Sequence, residues 1–286
     1  MGRRFHLLLL ILTVIANGCQ PGIAQSLTGG TSGNADVDFQ LFHDYLIVLH
    51  GRAGPLEGLN FLLDTGATPS VLDPQLAAKL SLHSTPTEIA VLQGMTHGAT
   101  ATLPSLQIGP VVRRDLPVLL EDLSFVQKVL PVHIDGIVGL DVLGQSAFVI
   151  DYATRQIHFG SSDLPSSVPL AFDHGLPMLS ATVNHHPTRL LLDTGAPSLI
   201  LFGPSRSNSR PQLISSDSIG EHNQGVLRLA SLTVGPATIR HPSAFLIANG
   251  TDGGHDFAGV LSPVGLGFRR LGIDLRHRTM AFSLEP

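Results

Sequence analysis

The chain has no tryptophan, two tyrosines and one cysteine, and Lys, Arg, Asp and Glu together make up only 14% of its 286 residues. A lone cysteine cannot form an internal disulfide, so the fold must rest on packing. Basic residues form no run and the formal charge is -5, which leaves no electrostatic footprint for nucleic acid. Beyond residue 20 no apolar stretch is long enough to cross a bilayer as a helix. There is no Gly-Xaa-Ser-Xaa-Gly elbow, and the cysteine, Cys19, sits near the N-terminus, so serine and cysteine nucleophile schemes have no anchor. None of the 14 histidines pairs at helical zinc-protease spacing. His185-His186 and His255-Asp256 read as solvated turns, as does Asp252-Gly253-Gly254, so neither a metal nor a cofactor is expected.

What is abundant is glycine and proline, 30 and 20 residues, beside 43% hydrophobic content, which suits a turn-rich β protein. Arg3 and Arg4 before the apolar stretch 7–16 read as an export signal over residues 1–24, implying a periplasmic, membrane-anchored or secreted protein. Two readings of its end stand side by side. Cys19 after Ala16-Asn17-Gly18 resembles a lipoprotein signal whose cysteine would carry the anchor, and a cut after Ala24 or Gln25 would leave a soluble form. Residues 25–38, rich in Gly, Ser, Thr and Asn, read as a flexible tether.

The decisive feature is a pattern written twice. Phe61-Leu62-Leu63-Asp64-Thr65-Gly66-Ala67 is echoed by Leu190-Leu191-Leu192-Asp193-Thr194-Gly195-Ala196, a separation of 193 − 64 = 129. The run from Leu103 to Pro110 returns from Leu229 to Pro236, offset by 229 − 103 = 126. Ile150-Asp151 through Phe159 returns as Ile273-Asp274 through Phe282, offset by 273 − 150 = 123. Anchors that keep their order define two related lobes, 39–162 and 163–286. Each lobe opens with a hairpin: segments 45–50 and 58–64 flank a Gly-Pro turn, and segments 178–184 and 188–193 flank His185-His186-Pro187. The apolar triplets before Asp64 and Asp193 read as strands buried on both faces, and the Thr-Gly that follows favours strand over helix. Residues 73–80 read as a short helix with Asp73 as N-cap, Pro74 at its first position, and Leu76, Ala77 and Leu80 on one face. The matching segment 203–211 has no helical period. The fold class is all-β and bilobal.

Two carboxylates at the ends of buried strands cannot both carry charge when brought close, so they hold one proton between them. In that state the ionised partner takes a proton from water while the protonated partner donates to an amide carbonyl. Asp64 and Asp193 are the candidate catalytic pair. Gly66 and Gly195 leave room for close approach of the loops, and Thr65 and Thr194 offer hydroxyls that can bond across to the opposite backbone.

Leu-Leu-Asp-Thr-Gly-Ala resembles the active loop of retropepsin-like aspartic proteases, and its doubling looks like the two-lobed pepsin plan, over residues 39–282. The resemblance implies a bilobal aspartic-protease-like fold of two related β-barrel-like lobes with a cleft between them. It implies an aspartic-type endopeptidase acting on polypeptides without a cofactor. It also implies a monomer whose lobes pair within one chain, since tandem copies make pairing between chains unnecessary. In that family an apolar-apolar-Gly segment packs beside the catalytic loop, and Gly136-Ile137-Val138-Gly139, followed by Leu140-Asp141, is similar to it. The second lobe's Gly259-Val260-Leu261-Ser262-Pro263 departs from the pattern at Ser262. The family's closing flaps would fall at 91–98, around Gly94, and at 217–225, around Gly220. Neither stretch contains a tyrosine, which implies closer kinship to the retroviral type than to pepsins. The alternative, motivated by Ser262, is a peptide-binding module of the same fold with weak or no turnover.

Overall fold

The computed structural model describes residues 15–16, 36–91, 94–203, 224–248 and 257–284. The segment expected as an export signal, apart from Ile15–Ala16 and with Cys19 included, lies outside the described residues, as do most of the expected 25–38 tether and Gly220. So do the segment 204–211 and residues 252–256.

The apolar triplets form strands buried on both faces. Phe61, Leu63, Leu190 and Leu192 point into the main core, whereas Leu62 and Leu191 point into two smaller clusters on the other side. All six are at most 1% exposed, and burial of each such side chain stabilises the fold by roughly 1.5–3 kcal/mol. In the first lobe Leu56–Leu63 pairs antiparallel with Leu46–Ala53 across Gly54-Pro55, and Gly54 supplies the positive φ that this two-residue turn needs at its first central position. In the second lobe Leu176–Val183 pairs with His186–Leu192, but the turn differs from the expected His185-His186-Pro187. It consists of Asn184 and His185, with φ of 47° and 70°, and His186 already faces Val183. Both central positions need positive φ, which proline's ring forbids, so Pro187 is displaced into the strand.

Each hairpin begins a closed ring. In the first lobe the order is Gly94–Ile108, Val111–Leu120, Val71–Leu72, Gly136–Val138, Leu56–Leu63 and Leu46–Ala53, and Arg52-Ala53 pair back onto Leu106-Gln107. In the second lobe it is Gln224–Arg228, Ser243–Ala248, Leu199–Gly203, Gly259–Leu261, His186–Leu192 and Leu176–Val183. That ring closes on Ser231–Val234, which continues Gln224–Arg228 beyond Leu229 and Ala230. The lobes are the expected barrel-like pair, built from equivalent strands in one order, and the repeat beginning at Leu103 and Leu229 is the closing strand of each.

The third repeat joins the lobes. Phe148–Asp151 pairs antiparallel with Phe268–Asp274, Phe148 opposite Ile273 and Ile150 opposite Leu271. With the offset of 273 − 150 = 123, Phe148 corresponds to Leu271 and Ile150 to Ile273, so this pairing maps onto itself when the repeats are exchanged. Asp151 and Asp274 are repeated because each caps the turn that follows, accepting from the N–H groups of Ala153 and Thr154 and of His277. Ser166–Pro169 adds to Thr279–Leu284, so the loop that holds the position 162/163 links two strands of one shared sheet. Among the described residues that sheet has 14 strands, from Ile15–Ala16 on the edge of Ser84–Val91 to Ser166–Pro169, and a second has 9.

The expected helix is Pro74–Lys79, with the Asp73 carboxylate accepting from Gln75 N at 2.8 Å and with Leu76 and Ala77 buried. Two short helices, Ser124–Gln127 and Leu140–Leu143, have no periodic signature in the sequence.

Candidate active site

Asp64 and Asp193 end equivalent strands and meet between the lobes, both 0% exposed. Each is tied to its parallel neighbour: Asp64 N donates to the Val138 carbonyl and Asp193 N to the Leu261 carbonyl, both at 3.0 Å. Each Oδ1 accepts from the glycine two residues on, Gly66 N and Gly195 N, at 2.7 Å. This self-capping turn fixes the carboxyl plane. Each Oδ2 is buried with no other hydrogen-bond partner among the described residues, and faces the opposite loop. A Cβ on Gly66 would lie 2.9 Å from Asp193 Oδ2, and one on Gly195 would lie 3.0 Å from Asp64 Oδ2. Any side chain at either position would force the carboxyls apart.

Thr65 and Thr194 brace the loops in the expected manner. Thr65 Oγ1 donates to the Leu192 carbonyl at 2.8 Å and Thr194 Oγ1 to the Leu63 carbonyl at 3.3 Å. Each hydroxyl oxygen also accepts from the other threonine's backbone N–H at 3.1 Å. The result is a closed, buried network in which every member is satisfied, the kind that fixes one geometry.

Burial pushes both carboxyls up. Asp64 stands well above the ordinary carboxylate range, through burial first and then the adjacent Asp193 charge and hydrogen bond, while the Gly66 N–H pulls the other way. Asp193 is raised to about 6 by burial, held down by hydrogen bonds from Asp64, Gly195 and Ala196. The pair therefore retains a proton in a range where isolated carboxyls have lost theirs. Tyr45, buried at the entry to Leu46–Ala53, has its phenol raised to about 12 by burial and then by the Asp193 charge.

The flanking segments sit where the resemblance implies. Gly136–Val138 runs parallel to Leu56–Leu63, and Gly259–Leu261 parallel to His186–Leu192. A Cβ on Gly139 would lie 2.1 Å from the Ala67 carbonyl oxygen, so only glycine fits there. Ser262, at the corresponding position, is accommodated: Asp193 N keeps its 3.0 Å bond, and Ser262 Oγ accepts from Gly265 N at 3.2 Å. Of the flap candidates, Gly94 lies opposite Val91 near the tip of the long hairpin Ser84–Val91 and Gly94–Ile108. Sequence reasoning missed Ser70 and Asp141. Asp141 accepts from Ser70 Oγ at 2.6 Å and from Ser70 N at 2.9 Å. The only available signal was the Leu-Asp that trails Gly136-Ile137-Val138-Gly139. Among the described residues no group of three or more His, Cys, Asp or Glu could hold a metal ion.

Residues 53–142 match the family model described as aspartyl protease. No curated protein matches the chain. Among solved structures it is similar to basic 7S globulin from soybean, with a TM-score of 0.49 and 14% identity over 87% of this chain and 94% of that chain. The match lies within the first of the two equivalent rings of strands, and the doubled ring gives the chain a bilobal, aspartic-protease-like fold.

Proposed function

We propose that the chain is an aspartic-type endopeptidase in which Asp64 and Asp193 share one proton and activate water against a peptide carbonyl. The observation that carries this reading is the pair of Oδ2 atoms, buried, otherwise unpartnered and facing one another's loops. With one proton present, the ionised carboxyl accepts a proton from the bound water as it attacks. The protonated carboxyl donates to the carbonyl oxygen, giving a tetrahedral diol. The carboxyl that took the water proton then passes it to the leaving nitrogen while the other takes a proton from one diol hydroxyl, so the C–N bond breaks without a covalent intermediate and the pair again holds one proton. The hairpin carrying Gly94 is the candidate for closure over the bound polypeptide. The same reading makes the chain an exported monomer, soluble or anchored through Cys19. A mixed peptide library incubated with the purified chain from acid to neutral pH tests the reading, with Asp193→Asn as control. Cleavage by the parent alone supports it. Peptide binding without cleavage at any pH would replace it with a binding module.

A further inference from the structure

Ser70 ends the loop that begins at Asp64, and it is fastened to the segment that supports that loop. Its hydroxyl donates to Asp141 Oδ1, its N–H donates to Asp141 Oδ2, and its oxygen accepts from Gly139 N at 3.0 Å. The segment 138–141 thereby touches the catalytic loop at its start through the Val138 carbonyl and Asp64 N, in its middle where Gly139 abuts Ala67, and at its end through Asp141.

The second lobe has no equivalent carboxylate. Val71 lies opposite Ile137 and Ile200 opposite Val260, so Ser70 corresponds to Leu199. The Asp64 and Asp193 amides bond to Val138 and Leu261, so Gly139 corresponds to Ser262 and Asp141 to Val264. Both ends of the contact are apolar there, and the loop is held by close packing, with a Cβ on Gly265 only 2.7 Å from Ser198 Cα. A structural role for the Asp64 loop could thus be filled without a carboxylate, yet the first lobe keeps one, part-buried against Ser70. Asp141 is faced by Ser70, by its own helix's Val142 N–H and by the Arg113 guanidinium, all of which favour the carboxylate, while burial opposes it and prevails.

We infer that Asp141 is a positioning residue for Asp64: through Ser70 it fixes the height and plane of the first catalytic carboxyl relative to the second. This inference rests on the proteolytic reading of the site for its kinetic consequence, and on the dyad's geometry alone for its spectroscopic one. In Asp141→Asn an amide NH₂ must take the place of one carboxylate oxygen, so one of Ser70's two donors is left facing a donor. Ser70→Ala removes a single hydroxyl and leaves the backbone intact.

The test is peptide-hydrolysis kinetics across pH on the full chain and both variants, with a ¹³C-carboxyl NMR titration of the two aspartates that needs no turnover. The expected result is a kcat lowered by about tenfold or more, as for a small misplacement of a reacting group, with KM unchanged and the Asp64 titration midpoint displaced in both variants. Unchanged kcat and titration, or an effect confined to KM or to melting temperature, would overturn it. Ser70→Ala decides the matter if Asp141→Asn does not fold. If the parent cleaves nothing, the proteolytic reading falls while the titration still decides this inference: a displaced midpoint supports it and an unmoved one overturns it.

Discussion

The two lobes build one loop by different means. Around Asp64 the first lobe uses a part-buried carboxylate, a serine hydroxyl and a glycine N–H, and its next strand runs into Asp73, which caps a helix. Around Asp193 the second lobe uses Leu199, Val264 and a glycine packed against backbone, and the residue corresponding to Asp73 is Phe202, tilted against Phe257 at 5.8 Å. The strand ends, the self-capping turns and the crossed threonines are the same in both. Atoms that face the partner loop are held constant, and atoms that face only their own lobe have diverged. A shared site constrains the contact between halves more tightly than it constrains either half.

That comparison can be broken at its strongest point. Asp64→Asn and Asp193→Asn should each lower peptide turnover by about 10²–10⁴, the usual loss of an acid-base group, and circular dichroism should show the fold retained. A large difference between the two would mean that the lobes do not contribute equally to the chemistry. Next in size are Gly66→Ala and Gly195→Ala. The new methyl groups would fall 2.9–3.0 Å from the opposite carboxyl, and turnover should drop by roughly tenfold or more in both as the pair is pried apart. Retained activity in either would show that the loop on that side can yield.

The threonines sharpen the comparison through stability. Thr65→Val and Thr194→Val each leave a buried carbonyl and a buried N–H on the other lobe without a partner, so each should lower unfolding free energy by about 1–3 kcal/mol in urea denaturation. Because each hydroxyl serves both loops, the double variant should lose less than the sum. The smallest effect is electrostatic. A carboxyl raised on folding stabilises the fold while protonated. For Asp193 that contribution is complete below its ordinary 3.8 and is lost as pH rises through about 6. Asp193→Asn should therefore melt a few degrees above the parent at neutral pH, with the gap closing in acid. A gap that widens in acid would contradict the raised value.

Much of this was legible in the sequence because it is local or repeated. The triplet before each aspartate is apolar at consecutive positions, so burial on both faces could be read directly. Asp73-Pro74 announces a helix start by its own chemistry. The cross-bonding of Thr65 and Thr194 followed once the motifs were matched. The turn at Asn184-His185 was misplaced because the proline signal beside it is stronger than the asparagine that occupies the turn. Ser70 and Asp141 stand 71 residues apart, and neither type is unusual where it occurs. The pairing of Phe148–Asp151 with Phe268–Asp274 was hidden for the same reason: a short apolar strand carries no mark of which distant edge it will join.

The self-mapping register of that pairing has a further consequence. An edge that pairs with its own repeat in antiparallel sense, the same positions meeting when the halves are exchanged, has the form of an isologous interface between identical subunits. The covalent chain thus contains, folded inside it, the contact by which two separate half-length copies would recognise each other. The connection between the halves then acts as a tether that makes this encounter intramolecular, so the dyad forms at any dilution and each half is free to vary without losing its mate.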